Sequence, residues 1–136
     1  MPRSLAMLCL PLSALALAAC GSTVSTSSFK GEQREVAQTV SNFQAAATTA
    51  EQKKICTEDL AAALVARLGG TKGCEAAIKS QLTEVDSLEA SVQSVTLGAG
   101  AKTATAQVKS IREGKKATSA LTLVKEGGKW RISGVQ

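Results

Sequence analysis

Histidine and tyrosine are absent from this sequence, and aromatic side chains as a group are rare. The 136 residues include two Phe and one Trp. Because nucleic-acid-binding surfaces usually stack bases on aromatic rings, we do not expect nucleic acid as a partner. The missing imidazole also removes the side chain that most often serves as a general acid or base near neutral pH. These absences favour a protein that binds over one that catalyses, and we predict no catalytic residue.

An apolar run long enough to span a bilayer is also lacking. Residues Leu5 to Ala19 are almost all Leu and Ala and follow Arg3. The run has the length of a signal-peptide apolar region, and it is shorter than the roughly 20 residues that a membrane helix needs. We therefore interpret residues 1–19 as an export signal that is not part of the fold.

The signal ends in Leu17-Ala18-Ala19-Cys20, which resembles the lipobox of bacterial lipoproteins. The resemblance implies that the Cys20 thiol carries lipid and that Cys20 becomes the mature N-terminus. An ordinary secretory signal is the alternative, because small residues also allow cleavage just before this site. Ordinary cleavage would leave three cysteines in an oxidising compartment, whereas lipidation of Cys20 leaves a pair. We predict a lipid anchor on the extracytoplasmic face of the cell membrane, with residues 20–28 as the lipidated N-terminus and a flexible tether.

The remaining pair, Cys56 and Cys74, is predicted to form a disulfide. The even count and the oxidising compartment favour this assignment over metal or redox chemistry. A thiolate metal site needs more ligands than these two cysteines, and a redox pair more often has Cys-x-x-Cys spacing. We therefore predict no metal and no cofactor.

Charge is distributed unevenly along the mature chain. Residues 20–97 carry seven Lys/Arg against nine Asp/Glu, and residues 98–136 carry eight against two. The basic second half is most simply a solvated face. It is also consistent with weak attraction to anionic envelope polymers or lipid headgroups.

Apolar residues recur at helical spacing through the first part of the domain. The pattern predicts three helices, at about 32–48, 50–68 and 71–83. The second ends at Gly69-Gly70, a helix stop that is only superficially like a phosphate loop. Thr57 could cap the N-terminus of a new helix, so two helical pieces with a bend near Cys56 are an alternative to one continuous helix.

Beyond Leu88, β-branched residues alternate with polar ones and predict four strands. Their ranges are 91–97, 101–112, 116–125 and 129–135, and the short Gly turns between them make neighbours antiparallel. The face predicted to receive the helices carries Val95, Leu97, Ala104, Ala106, Val108, Leu121, Leu123, Trp130 and Ile132. Helices followed by a strand meander define an α+β domain over residues 29–136.

The element order, a Val-x-x-Phe-x-x-Ala pattern in the first helix and the final hairpin around Lys129-Trp130-Arg131-Ile132 resemble small SnoaL-like bacterial lipoproteins. The resemblance implies the cone-shaped fold of nuclear transport factor 2, with three N-terminal helices packed on a curved four-stranded antiparallel sheet. If the cone encloses a pocket, we expect the following residues to line it: Phe43, Val108, Leu121, Leu123, Trp130 and Ile132.

Enzymes with this kind of fold resemble one another in using a carboxylate or His in a pocket, often helped by Tyr or a protonated acid. Only carboxylates are available here, at Glu58, Asp59, Glu84, Asp86 and Glu89, with Asp86 as the leading candidate base. Carboxylates near helix ends are usually solvated caps, which makes tuned acid-base chemistry a weaker hypothesis.

The predicted function is therefore non-catalytic binding of a partner protein or a small apolar ligand at the bacterial cell envelope. The membrane is a partner through the lipid, and we also consider a homodimer formed through the sheet. Two alternatives are an isomerase- or cyclase-type enzyme with a pocket carboxylate, and an envelope assembly protein without a pocket.

Overall fold

The chain folds as a helical half followed by a sheet. The computed structural model describes residues 26–83, 88–112 and 114–136. The helical segments are α1 (Gly31–Thr48), α2 (Gln52–Lys54), a π-helical turn (Ile55–Asp59), α3 (Ala62–Arg67) and α4 (Gly70–Thr83). The strands are β1 (Leu88–Leu97), β2 (Thr103–Arg112), β3 (Lys115–Glu126) and β4 (Lys129–Val135). The α+β class and the four-stranded antiparallel sheet are thus confirmed.

The sheet is a simple meander in the order β1-β2-β3-β4. Gly127 and Gly128 both have positive φ and make the tight turn that joins β3 to β4. The connection between β1 and β2 includes a short 3-10 turn at Ala99–Ala101, so β2 begins two residues later than the sequence predicts. Register shifts between Val92 and Ser94 and between Thr122 and Leu123 mark irregularities of the bulge type.

One face of the sheet is buried, as the alternation predicts. Val95, Ala104, Ala106, Val108, Leu123, Trp130 and Ile132 are all buried, and Leu97 and Leu121 pack against them while partly exposed. Val36, Ala37 and Val40 of α1 complete this core from the helical side. Their 3.6-residue spacing places them on one stripe of α1, which is why this helix lies across the sheet.

The prediction of three N-terminal helices is not confirmed, because the middle helix is broken. The helical turns end at Asp59, and Leu60 and Ala61 adopt extended backbone conformations. The Ala61 amide donates a hydrogen bond of 2.8 Å to the Ile132 carbonyl, and Leu60 forms a parallel bridge with Ile132. This pairing with the edge strand replaces the hydrogen bonds that a continuous helix would make.

A disulfide joins Cys56 in the π-helical turn to Cys74 in α4, as predicted. The Cα atoms are 6.0 Å apart, and both cysteines are buried. The link holds α4 against the broken middle segment. Gly73, next to Cys74, allows close approach there, because a Cβ at this position would lie 2.1 Å from the Leu68 carbonyl oxygen.

Among residues 26–83, 88–112 and 114–136, no helix has the length and apolar character to cross a bilayer.

Candidate functional site

A polar cleft opens between α1, the π-helical turn and the β3–β4 hairpin. We call it the Asp59 cleft, and its volume is about 360 Å³. Its lining residues are Glu35, Gln38, Thr39 and Asn42 from α1, Glu58 and Asp59 from the π-helical turn, and Gly128, Lys129, Trp130 and Arg131 from the hairpin. Three elements that are distant in sequence therefore form one concave surface, as expected of a ligand site.

Asp59 is the most unusual side chain of this cleft. It is 4% exposed, and its Oδ2 atom has no hydrogen-bond partner among the described residues. Burial raises the pKa of Asp59 to about 6, and this effect outweighs the opposing charges of Lys54 and Arg131. The negative charge of Glu58 also favours the protonated form. Because π-helical turns are rare and often occur at functional sites, this turn and its buried acid form a candidate site.

Polar side chains of α1 form one wall of the cleft. Gln38 Nε2 donates to Asn42 Oδ1 at 3.1 Å, one helical turn away. The Thr39 hydroxyl lies 3.1 Å from the Glu35 carbonyl and 3.4 Å from the Trp130 carbonyl, where it links the helix to the hairpin. This wall therefore offers amide and hydroxyl groups, which would suit a ligand with polar groups.

On the opposite wall of the cleft, Arg131 forms hydrogen bonds to the π-helical turn. Its Nη1 donates to the carbonyl oxygens of Thr57 at 2.7 Å and Glu58 at 3.0 Å, which are orphan acceptors at the end of that turn. Its Nε lies 3.7 Å from Glu126 Oε2. The Glu126 carboxylate in turn accepts the Ala62 amide at 3.2 and 3.3 Å, at the start of α3. The position of Asp59 is thus held by the hairpin.

Trp130 lines the cleft and is hydrogen-bonded to the first turn of α1. Its Nε1 donates to Glu32 Oε2 at 2.7 Å, and Lys125 Nζ pairs with Glu32 Oε1. Lys125 Nζ is also 5.7 Å from the centroid of the Trp130 ring, within cation–π range. The bonds from Lys125 and then from Trp130 lower the pKa of Glu32. Trp130 is therefore both a core residue and part of the cleft surface.

The six residues predicted to line an apolar pocket lie mainly in the core. Val108, Leu123, Trp130 and Ile132 are buried, whereas Phe43 and Leu121 are partly buried against the same cluster. Of the six, only Trp130 lines the Asp59 cleft. These side chains therefore pack against one another in the core between α1 and the sheet.

A second opening lies on the other side of the π-helical turn, next to the disulfide. This groove has a volume of about 610 Å³, and Leu60, Val65 and Ala66 give it a more apolar lining than the Asp59 cleft. Glu126 and Arg131 form part of its edge. Arg131 therefore borders both openings.

The structure brings together two of the five carboxylates considered from sequence. Glu84 and Asp86 lie outside the described residues, as does Cys20, and Glu89 is exposed on β1. Glu58 and Asp59 both line the Asp59 cleft, where Asp59 is buried and Glu58 is exposed. The burial of Asp59 carries no local sequence signal, because it depends on the break in the helix at Leu60. Within the described ranges, no three His, Cys, Asp or Glu side chains cluster as metal ligands would.

Comparisons with family models, curated proteins and solved structures found no match to this chain.

Proposed function

We propose that this chain is a lipid-anchored, extracytoplasmic domain of the NTF2-like kind that binds a ligand or a partner protein at the cell envelope without turning it over. The Asp59 cleft is the observation that carries the binding function, because it joins three elements around a buried acid. Its polar lining favours a ligand with hydrogen-bonding groups over the apolar ligand expected from sequence.

The proposed location is supported by the Cys56–Cys74 disulfide. Disulfides persist mainly in oxidising compartments, and this one accounts for both cysteines of the folded domain. Cys20 then remains as the one mature cysteine for lipid attachment, in agreement with the Leu17-Ala18-Ala19-Cys20 sequence. The cone shape is proposed on the order of helices and strands and on the packing of α1 across one face of the sheet.

Among the described residues that line the cleft, Asp59 has no imidazole or phenol as a partner, which supports binding without turnover. A reaction that moves a proton usually needs a partner for the base, such as an imidazole, a phenol or a second tuned carboxyl. The sequence has no His and no Tyr, and Asp59 is the one described carboxyl in the cleft whose pKa burial raises. The other two acids that line the cleft, Glu35 and Glu58, are exposed.

Fluorescence of Trp130 offers a direct test, because it is the only tryptophan of the chain and lines the cleft. Small polar compounds and envelope extracts would be screened for a saturable change in its emission. We expect binding to be weakened by Gln38→Ala and Asn42→Ala, which alter the α1 wall, but not by Lys79→Ala on α4. Binding that is unchanged by both cleft variants would reject this site.

Enzymatic catalysis is the second candidate, and buried Asp59 is the specific observation that favours it. A carboxyl with a pKa near 6 is suited to accept a proton near neutral pH. In this case a substrate would be turned over, and Asp59→Asn would abolish turnover while the fold remains intact. Saturable binding without product formation, retained in Asp59→Asn, would instead favour the binding function.

A further inference from the structure

The first turn of α1 shows where the N-terminal tether enters the fold. Gln33 Nε2 donates to the Val95 carbonyl at 3.0 Å, two residues before β1 ends. Glu32 in the same turn bonds to Lys125 and Trp130, beside the turn that joins β3 to β4. The chain therefore enters over one end of the sheet, which also carries the 98–102 connection and the Gly127-Gly128 turn. We call this the tether end.

Exposed positive charge collects at the tether end. Lys30, Lys102 and Lys129 are exposed and form no ion pair with any described residue. Two carboxylates at this end are already engaged: Glu32 with Lys125 and Trp130, and Glu126 with Arg131 and the Ala62 amide. Lys129 also lines the Asp59 cleft with Glu35, Glu58 and Asp59 but forms no ion pair with them. The lysines are therefore available to anions outside the protein.

The opposite end of the sheet is basic as well, so charge alone does not distinguish the two ends. Lys115 and Lys116 are exposed at the start of β3, where the β2–β3 turn forms the far end. The two groups of lysines differ in their distance from the proposed anchor at Cys20. Six chain steps separate Cys20 from Thr26 and can reach at most about 22 Å, whereas ten-residue strands such as β1 and β2 extend about 33 Å.

We propose that the tether end faces the membrane and that Lys30, Lys102 and Lys129 bind the headgroups of anionic phospholipids. The proposal rests on lipid attachment at Cys20, as proposed above. A short tether keeps the tether end near the bilayer. In this orientation the strands extend away from the bilayer, and the far end lies about 33 Å out. That is well beyond the screening length of about 8 Å at physiological salt, so Lys115 and Lys116 gain little from the surface. The domain would stand on the membrane with the β2–β3 turn pointing away.

Lysine footprinting of the full lipidated protein tests this orientation. The protein is reconstituted in vesicles of phosphatidylglycerol and phosphatidylcholine, labelled with a membrane-impermeant amine reagent, and analysed by mass spectrometry. Labelling of Lys30, Lys102 and Lys129 should slow by about fivefold relative to detergent solution, since a lysine near an anionic surface gains about that preference. Labelling of Lys115 and Lys116 should not change. In about 1 M salt, where the screening length is about 3 Å, the protection should disappear.

Two charge-matched variants complete the test. Lys102→Gln/Lys129→Gln should reduce the protection of Lys30, whereas Lys115→Gln/Lys116→Gln removes the same charge and should leave it intact. Equal labelling of both ends in protein that sediments with the vesicles, or protection of Lys115 and Lys116, would overturn the orientation. Equal protection on pure phosphatidylcholine vesicles would overturn the role of anionic headgroups. A protein that carries no lipid and does not sediment would instead reject the anchor itself.

Discussion

Trp130 and Glu32 are 98 residues apart in sequence, yet the indole Nε1 and the carboxylate Oε2 share a hydrogen bond of 2.7 Å. The bond joins the start of β4 to the first turn of α1. It satisfies the one polar atom of the Trp130 side chain, which otherwise packs in the core and is 4% exposed. Trp130 also lines the Asp59 cleft.

Replacement of this ring should be costly. We expect Trp130→Ala to lower the free energy of unfolding by about 3–5 kcal/mol, as for other buried aromatic residues. Trp130→Phe should cost less, because it keeps most of the apolar contact and loses the donor to Glu32. Urea denaturation followed by circular dichroism measures both. Unchanged stability in Trp130→Ala would mean that the indole does not contribute to the core.

Removal of the disulfide should also destabilise the domain. Cys56 and Cys74 are separated by 18 residues. Closure of a loop of that length stabilises by about 3 kcal/mol in the chain-entropy description. The double variant Cys56→Ser/Cys74→Ser should show this loss in urea denaturation, and the reduced wild-type domain should show a similar one. If mass analysis of protein exported by its native host finds both thiols free, the bond does not form in the cell.

Asp59 should make the stability depend on pH. Its folded pKa of about 6 lies above the ordinary value of 3.8, so the folded state binds the proton more tightly than the unfolded state. The resulting stability is fully present below about pH 4 and is lost as the pH rises through about 6.

The variant Asp59→Asn isolates this effect, because it cannot ionise. At pH 7–8 it should be more stable than the wild type by about 1–2 kcal/mol, a value discounted for solvent screening. The difference should shrink toward pH 4. Glu89→Gln, at an exposed strand position, is the matched control. An advantage of Asp59→Asn that is the same at pH 4 and pH 8 would contradict the assignment of the effect to ionisation.

The proposed lipid anchor leads to a separate prediction. Cys20→Ala should abolish lipid attachment and move the protein from the membrane fraction to the soluble extracytoplasmic fraction, because stable anchoring needs acyl chains. Cell fractionation with detection of the domain measures this. Exported Cys20→Ala protein that still sediments with membranes would show that lipid on Cys20 is not what holds it there.

Much of the fold follows from local patterns in the sequence. The stripe of Val36 and Val40 requires one apolar helix face, and α1 has nearly the predicted bounds. The alternation from β2 to β4 fixes which side chains face inward, since a shift of one residue would expose the whole set. The pairing of Cys56 with Cys74 also followed from the sequence, because the predicted compartment and the cysteine count left one pair.

Only the tertiary structure decided the middle segment and the cleft. The apolar residues from Ile55 to Leu68 have a spacing that one continuous helix would also show. Instead, the backbone of Leu60 and Ala61 pairs with Ile132 on β4, and this pairing interrupts the helix. The break buries Asp59 and sets Arg131 against the carbonyls of Thr57 and Glu58. These contacts join residues more than 70 positions apart, so a local pattern carries no signal of them. The sequence by itself determined which faces are apolar, and long-range packing decided which polar groups were buried between them.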